Sequence, residues 1–217
     1  MINIAIDGPA GAGKSSIAKA AAAKLGFIYV DTGALYRSAA LYALSNGLDE
    51  QSLIDSLDKV DIKLEYQDGV QHVILNGEDV SQRIRTPEVS MNASRFSAIP
   101  EVRAFLFDLQ QKISRENNII MDGRDIGTVV LPNADLKVFL TASAEERANR
   151  RFKEMTDSDV TYEQVLEDIK QRDYNDMNRK TAPLKQAEDA VLLDTTEMTM
   201  EQVIEKLTSM IKEVMDK

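Results

Sequence analysis

The sequence predicts an α/β fold in which a parallel sheet core is covered by helices on both faces. Three observations predict it. Short apolar runs of strand length alternate with longer helical stretches along most of the chain. The first run, Ile2-Asn3-Ile4-Ala5-Ile6-Asp7, has the look of a buried strand closed by a carboxylate. A Gly-rich loop, Gly8 to Gly13, and an Ala-rich helix follow it at once. The 217 residues suffice for one domain with a packed core, and 1–217 is read as a single domain.

The elements follow in order. Lys14 to Leu25 is a helix, with Gly26 as its C-cap. Phe27 to Asp31 is a strand, and Thr32 is expected to cap a helix running to Asn46-Gly47. Glu50 to Leu57 is helical. From about Val60 to Glu88 a small antiparallel insert is expected. Asp61 to Tyr66 alternates, Gln67-Asp68-Gly69 turns, Val70 to Leu75 is β-rich, and Asn76-Gly77 signals a tight turn. Thr86-Pro87-Glu88 opens a helix with Pro at its first position. Glu88 to Ile99 and Pro100 to Arg115 are helical, and Asn118 to Asp122 and Lys137 to Thr141 are strands. Ser143 to Glu154 is an arginine-rich helix, followed by a polar break from Met155 to Val160. Tyr162 to Lys180 is helical, Ala190 to Asp194 is the last strand, and Met200 to Met215 closes the chain.

Composition narrows the chemistry. Lys and Arg total 26 against 36 Asp and Glu, a net charge of −10 that argues against a general nucleic-acid binder. With no Cys there is no disulfide, thiolate zinc site or cysteine nucleophile. The single His72 leaves little room for a histidine triad or metal site. No apolar run spans a bilayer and the N-terminus does not read as a signal peptide, so a cytoplasmic protein without membrane contact is expected. All the arginines lie between Arg37 and Arg179, which suits a small anionic ligand held mid-chain.

Gly8-Pro9-Ala10-Gly11-Ala12-Gly13-Lys14-Ser15 fits G-x-x-x-x-G-K-[ST], the P-loop of nucleoside triphosphate sites. Backbone N–H groups there converge with the positive end of a helix dipole, and glycines let phosphate approach. Lys14 would reach the β- and γ-phosphates, and the Ser15 hydroxyl would ligate Mg²⁺. Neither D-x-x-G nor N-K-x-D occurs, which disfavours a GTPase. A kinase needs a second anion site. Thr32, Tyr36 and Arg37, just past a strand end, supply a hydroxyl, a ring and a guanidinium. Asp122-Gly123-Arg124-Asp125-Ile126-Gly127-Thr128 follows another strand. There Arg124 suits a phosphate and Asp125 an amine or hydroxyl donor, while Asp122 suits Mg²⁺ through a bound water. The alternative for Asp122 is a turn or cap.

Arg147, Arg150 and Arg151 crowd one helix, and Arg147 and Arg151, at i and i+4, repel unless an anion lies between them. A solvated face is the alternative. Arg172, Asp176 and Arg179 share a face of the next helix, for which a salt-bridge ladder is the alternative. A lid carrying arginines, about residues 147–160, would close over the transferring phosphoryl.

Taken together these segments, with Asn76-Gly77-Glu78-Asp79-Val80, Arg172-Asp173, Asn178-Arg179 and Ala182-Pro183-Leu184, resemble the bacterial cytidylate kinases over essentially the whole chain. The resemblance implies the P-loop NTPase fold, with residues 60–88 as a β-rich monophosphate-binding insert. It implies Mg²⁺-dependent transfer from ATP to CMP or dCMP. ATP would lie on Gly8, Pro9, Ala10, Gly11, Ala12, Gly13, Lys14, Ser15 and Ser16. Ser94, Arg103 and Asp125 would surround cytosine with Thr32 nearby, and Tyr36 would be a further CMP-binding residue. Arg37, Arg124 and Arg179 would hold the CMP phosphate, and Arg172 and Asp176 would meet the ribose. Arg150 and Arg151 would belong to the lid. Lys14, Arg124, Arg150, Arg151 and Arg179 are then the electrophilic stabilisers, with no general base. The family often has Ser where this chain has Thr32. A kinase for another small acceptor, or a regulatory nucleotide-binding module, are the competing readings. A monomer is expected.

Overall fold

A computed structural model of the chain describes residues 1–67, 70–155 and 160–216. Of the expected turn at Gln67-Asp68-Gly69 and the expected break at Met155–Val160, residues 68–69 and 156–159 lie outside the described residues. The 147–160 lid expectation falls partly there as well. The chain runs β1 (Asn3–Asp7), α1 (Lys14–Leu25), β2 (Ile28–Asp31), α2 (Thr32–Ser45), α3 (Glu50–Ile54), β3 (Ile62–Gln67), β4 (Val70–Leu75), β5 (Glu78–Asp79), α4 (Pro87–Phe96) and α5 (Pro100–Glu116). It continues with β6 (Ile119–Gly123), β7 (Leu136–Thr141), α6 (Ala144–Glu154), α7 (Tyr162–Asn178), β8 (Val191–Asp194) and α8 (Met200–Met215). Two compact units result: Met1–Tyr29 with Asn117–Lys217, here the core unit, and Val30–Glu116.

The core unit is built on the expected sheet, with strand order β2-β6-β1-β7-β8. β1 pairs in parallel with β6 and β7, and β7 with β8. Ile4, Ala5 and Ile6 of β1 are fully buried, which is why that strand is a continuous apolar run. α1 turns Ile17, Ala18, Ala21 and Ala22 inward, onto a core shared with Val203, Leu207 and Ile211 of α8. Both ends of α1 are left-handed glycines, Gly13 at φ 85° and Gly26 at φ 70°. α8 begins with a reciprocal cap between Thr199 and Gln202. α6 and α7 share a small cluster of their own, Ala148 with Val165 and Ile169.

In the unit Val30–Glu116, β3, β4 and β5 form the expected antiparallel sheet. Asn76 at φ 50° and Gly77 at φ 86° make the left-handed pair that the Asn-Gly dipeptide signalled. α2 packs its Leu35 with Leu53, Ile84, Phe96 and Leu106. α4 starts as read, with Thr86 capping Val89 N and Pro87 at its first turn.

Three expectations are corrected. Asp31, not Thr32, caps α2: its carboxylate accepts from Ala34 N at 3.0 Å, and Thr32 is already the first helical residue. A carboxylate also suits the positive helix end better than a hydroxyl. The Glu50–Leu57 helix stops at Ile54 and resumes as a 3₁₀ turn over Leu57–Lys59, because the Ser56 hydroxyl bonds back to the Ser52 and Leu53 carbonyls. Ile126–Val130 is a π-helical turn, where no element was expected.

Candidate active site

The loop between β1 and α1 is shaped by what surrounds it. A Cβ on Gly8 would sit 1.9 Å from the Leu140 carbonyl oxygen, so only glycine lets β1 leave the sheet here. Gly13 offers α1 no side-chain cap, and the first turn of that helix carries no acid. The N-terminal N–H groups of α1 are thus left for an anion. Lys14 is buried and its Nζ donates to the Pro9 carbonyl at 2.7 Å. Burial, and then the charge of Arg124, press its ammonium down to about 7; Asp122 and Asp7 pull it back up, and Arg172 adds to the lowering. Lys14 therefore feels the charges of Arg124 and Arg172 and of Asp122 and Asp7 together. Ser15 and Ser16 are exposed at the mouth of the loop.

Asp122, near the end of β6, accepts from the Ser15 hydroxyl on Oδ2 and from the Tyr29 hydroxyl on Oδ1, both at 2.9 Å. Of the alternatives weighed for Asp122, the structure places it beside Ser15. A hydroxyl and a carboxylate oxygen side by side form a hard donor pair, which fits Mg²⁺. Among the described residues no group of three or more His, Cys, Asp or Glu forms a metal cage. A Mg²⁺ held here would draw its other ligands from phosphate and water, the usual arrangement for that ion.

Asp7 was read only as the end of a strand. In the structure it is a buried bidentate acceptor, taking the Ile126 N–H on Oδ1 and the Gly127 N–H on Oδ2, each at 2.7 Å. Burial nevertheless raises its pKa from 3.8 to about 6, outweighing the two hydrogen bonds, while Asp125 raises it and Lys14 lowers it. Between those two values the folded chain holds one more proton than the unfolded chain. Stability from this group is therefore fullest below pH 3.8 and declines as pH rises towards 6. The urea midpoint of the wild type should fall across that window relative to that of Asp7→Asn. Parallel midpoint curves would show that Asp7 does not titrate there.

Two ion pairs tie the turn after β6 to α7. Arg124 Nε donates to Asp176 Oδ2 at 2.7 Å, and Arg179 Nη2 donates to Asp125 Oδ1 at 3.2 Å. Both members of the second pair are less than a tenth exposed. Arg179 Nε also donates to the carbonyl of Ala182, a residue at φ 47°. Acid and base thus alternate on both segments and meet crosswise.

The arginines of α6 part company. Arg147 was expected to face an anion with Arg151. Instead it is buried, with Nε on the Ala142 carbonyl, Nη1 on the Ala10 carbonyl of the P-loop, and a forked pair to Asp173 at 2.6 and 3.1 Å. Asp173 supplies the neutralising charge, so no external anion is required. Arg150 is held by Glu146 at 2.8 Å and by the Thr195 carbonyl at 2.7 Å. Arg151 is exposed on α6.

The remaining residues lie in the unit Val30–Glu116. Arg37 Nη2 pairs with Asp31 at 2.8 Å, and its Nε is buried without a hydrogen-bond partner among the described residues. A Cβ on Gly33 would lie 2.9 Å from the Arg37 guanidinium, so glycine keeps that pair in place. The Arg103 guanidinium stands 5.8 Å from the centre of the Tyr36 ring, and both Arg103 and Thr32 are buried. Ser94 is half-buried, its carbonyl accepting from Ser97 Oγ.

Sequence reasoning missed Asp7, Tyr29 and the Arg147–Asp173 fork. An acid closing an apolar strand just before a phosphate loop was the available signal for Asp7. Nothing local pointed to the other two.

A family model described as "Cytidylate kinase" matches residues 4–213. A curated cytidylate kinase of Caldicellulosiruptor bescii is 52% identical over 218 residues, covering 98% of this chain and 96% of its own. One from Carboxydothermus hydrogenoformans is 49% identical, covering 97% of each chain. Among solved structures, a shikimate kinase from Bacteroides thetaiotaomicron aligns at TM-score 0.50 and 12% identity, over 97% of this chain and 98% of its own. A gluconokinase from Sinorhizobium meliloti aligns at TM-score 0.51 and 12% identity, over 98% and 93%. At that identity the structures bear on fold alone, and the fold they share with this chain is that of P-loop kinases. No helix among the described residues is long and apolar enough to cross a membrane.

Proposed function

The chain belongs to the cytidylate kinase family, and from that premise we propose that it transfers the γ-phosphoryl group of ATP to CMP or dCMP, giving ADP and CDP or dCDP. The observation that carries the reading in the core unit is the glycine loop that sets buried Lys14 at the uncapped N-terminus of α1, with the Ser15 hydroxyl on Asp122 beside it.

The chemistry is mainly positioning and charge stabilisation. A phosphate oxygen of CMP forms the new bond to the γ-phosphorus as the bond to the β,γ-bridging oxygen breaks, and the electron pair leaves with ADP. The attacking phosphate is already anionic, so no side chain need take a proton. Lys14 and the α1 N–H groups bind the donor phosphates. Arg124 and Arg179 bind the acceptor phosphate, and Asp176 and Asp125 orient their guanidinium groups. Ser15 and Asp122 would hold Mg²⁺, which when bound neutralises phosphate oxygens. Arg172 and Asp176 are assigned to the ribose. Arg37, Tyr36, Arg103, Ser94 and Thr32 are the further residues assigned to CMP, and Arg150 and Arg151 those assigned to the lid. A monomer in the cytoplasm, with no nucleic-acid partner, completes the reading.

The test is ADP release from ATP and Mg²⁺ with each acceptor in turn. ADP should form with CMP or dCMP and cease without an acceptor or with the metal chelated. ADP formation indifferent to CMP would overturn the reading and favour a regulatory nucleotide-binding module.

A further inference from the structure

Asp7 is a buried carboxylate for which the reaction has no direct use. It ends β1, paired in register with Gly123 of β6, so the two strands finish side by side. Beyond Gly123 the chain turns back over the end of β1 and sets two successive N–H groups, those of Ile126 and Gly127, on the two oxygens of Asp7. Gly127 is fitted to this contact, since a Cβ there would lie 3.3 Å from Asp7 Oδ2 and 3.1 Å from the stem of Lys137. Lys137 is itself buried and fastened to Asp189 at 2.8 Å. The turn is thus gripped from two sides.

A neutral hydroxyl or amide at position 7 would satisfy one of these donors. Only a carboxylate offers two acceptors to two N–H groups at once. Burying that charge is costly, so the expense is matched by what the turn carries. The residues immediately before the gripped N–H groups are Arg124 and Asp125, each crossed with a partner on α7.

We infer that Asp7 is a positioning residue for the acceptor site, fixing the turn so that Arg124 and Asp125 meet Asp176 and Arg179 and the two guanidinium groups are set for the CMP phosphate. This rests on the reading of Arg124 and Arg179 as phosphate ligands. Its loss should weaken the acceptor side more than the donor side, where its charge also acts on Lys14.

The experiment compares Asp7→Asn, Gly127→Ala and Arg124→Ala in steady-state assays against CMP and ATP separately, with thermal midpoints for each. Asp7→Asn should raise KM for CMP about tenfold, the scale of one lost charge-assisted hydrogen bond, and leave KM for ATP within about threefold. Gly127→Ala, which presses the same contact from the other side, should reproduce that split. It decides the matter alone if Asp7→Asn does not fold. A lowered thermal midpoint with KM for CMP within about twofold of wild type would make Asp7 merely structural and overturn the inference. An equal rise in both KM values would overturn it too, by placing the damage in the P-loop. Arg124→Ala separates the premises. If it leaves KM for CMP unchanged, the acceptor-site reading fails; if it raises KM while the other two variants do not, only the role of Asp7 fails.

Discussion

Lys14→Met should reduce phosphoryl transfer by about 10²–10³-fold, the loss typical of one preorganised charge donor, while leaving the protein folded. Methionine keeps most of the aliphatic stem in its buried slot and deletes the ammonium. The native ammonium is held against its own preference: burial and the field of Arg124 both favour its neutral form. Its Nζ donates to the Pro9 carbonyl, within the loop. A group so placed is poorly justified by stability and well justified by a ligand carrying several negative charges. Turnover and thermal midpoint measured on the same preparation test this. Near-normal turnover would remove Lys14 from the reaction. A collapsed midpoint would instead show that Lys14 supports the loop.

The order of strands and helices could be read along the chain because each rests on short-range physics. Apolar runs make buried strands, Asn76-Gly77 makes a left-handed turn, and Thr86-Pro87 starts a helix. The P-loop was legible for the same reason, as its glycines, Lys14 and Ser15 act within one turn of chain. What escaped was set by contacts between distant segments. The Asp7 to Gly127 hydrogen bond spans 120 residues, and the Arg124–Asp176 pair spans 52. Helical spacing put Arg172, Asp176 and Arg179 on one face, but it carried no information about the turn after β6 that meets that face. The same spacing set Arg147 beside Arg151, whereas Asp173, 26 residues on, claims Arg147. The π turn at Ile126–Val130 exists because Asp7 and Lys137 shape it from outside, so its own residues gave little sign of it.

Asp125→Ala should lower kcat/KM for CMP far more than for UMP, narrowing their ratio by about tenfold or more. Cytosine presents an exocyclic amine, from which a carboxylate accepts well; uracil presents a carbonyl oxygen at the same place. A buried carboxylate facing that oxygen has no proton to share, so the contact loses a hydrogen bond to a charged group, roughly 1.5–3 kcal/mol. The structure adds a second consequence. Asp125 also accepts from Arg179 at 3.2 Å, with both side chains less than a tenth exposed. Its removal therefore takes one partner from an arginine assigned to the phosphate, a loss that CMP and UMP share. The expected result is a common fall for both substrates with a further fall for CMP alone. Arg124→Ala is the control, because it removes a phosphate donor without touching base discrimination, and should lower both substrates by the same factor. Arg179→Ala isolates the common part differently. It removes the phosphate ligand itself and leaves the Asp125 carboxylate in place, so both substrates should fall by the same factor. If Asp125→Ala reduces CMP and UMP equally, the carboxylate does not read the base and acts only by holding Arg179.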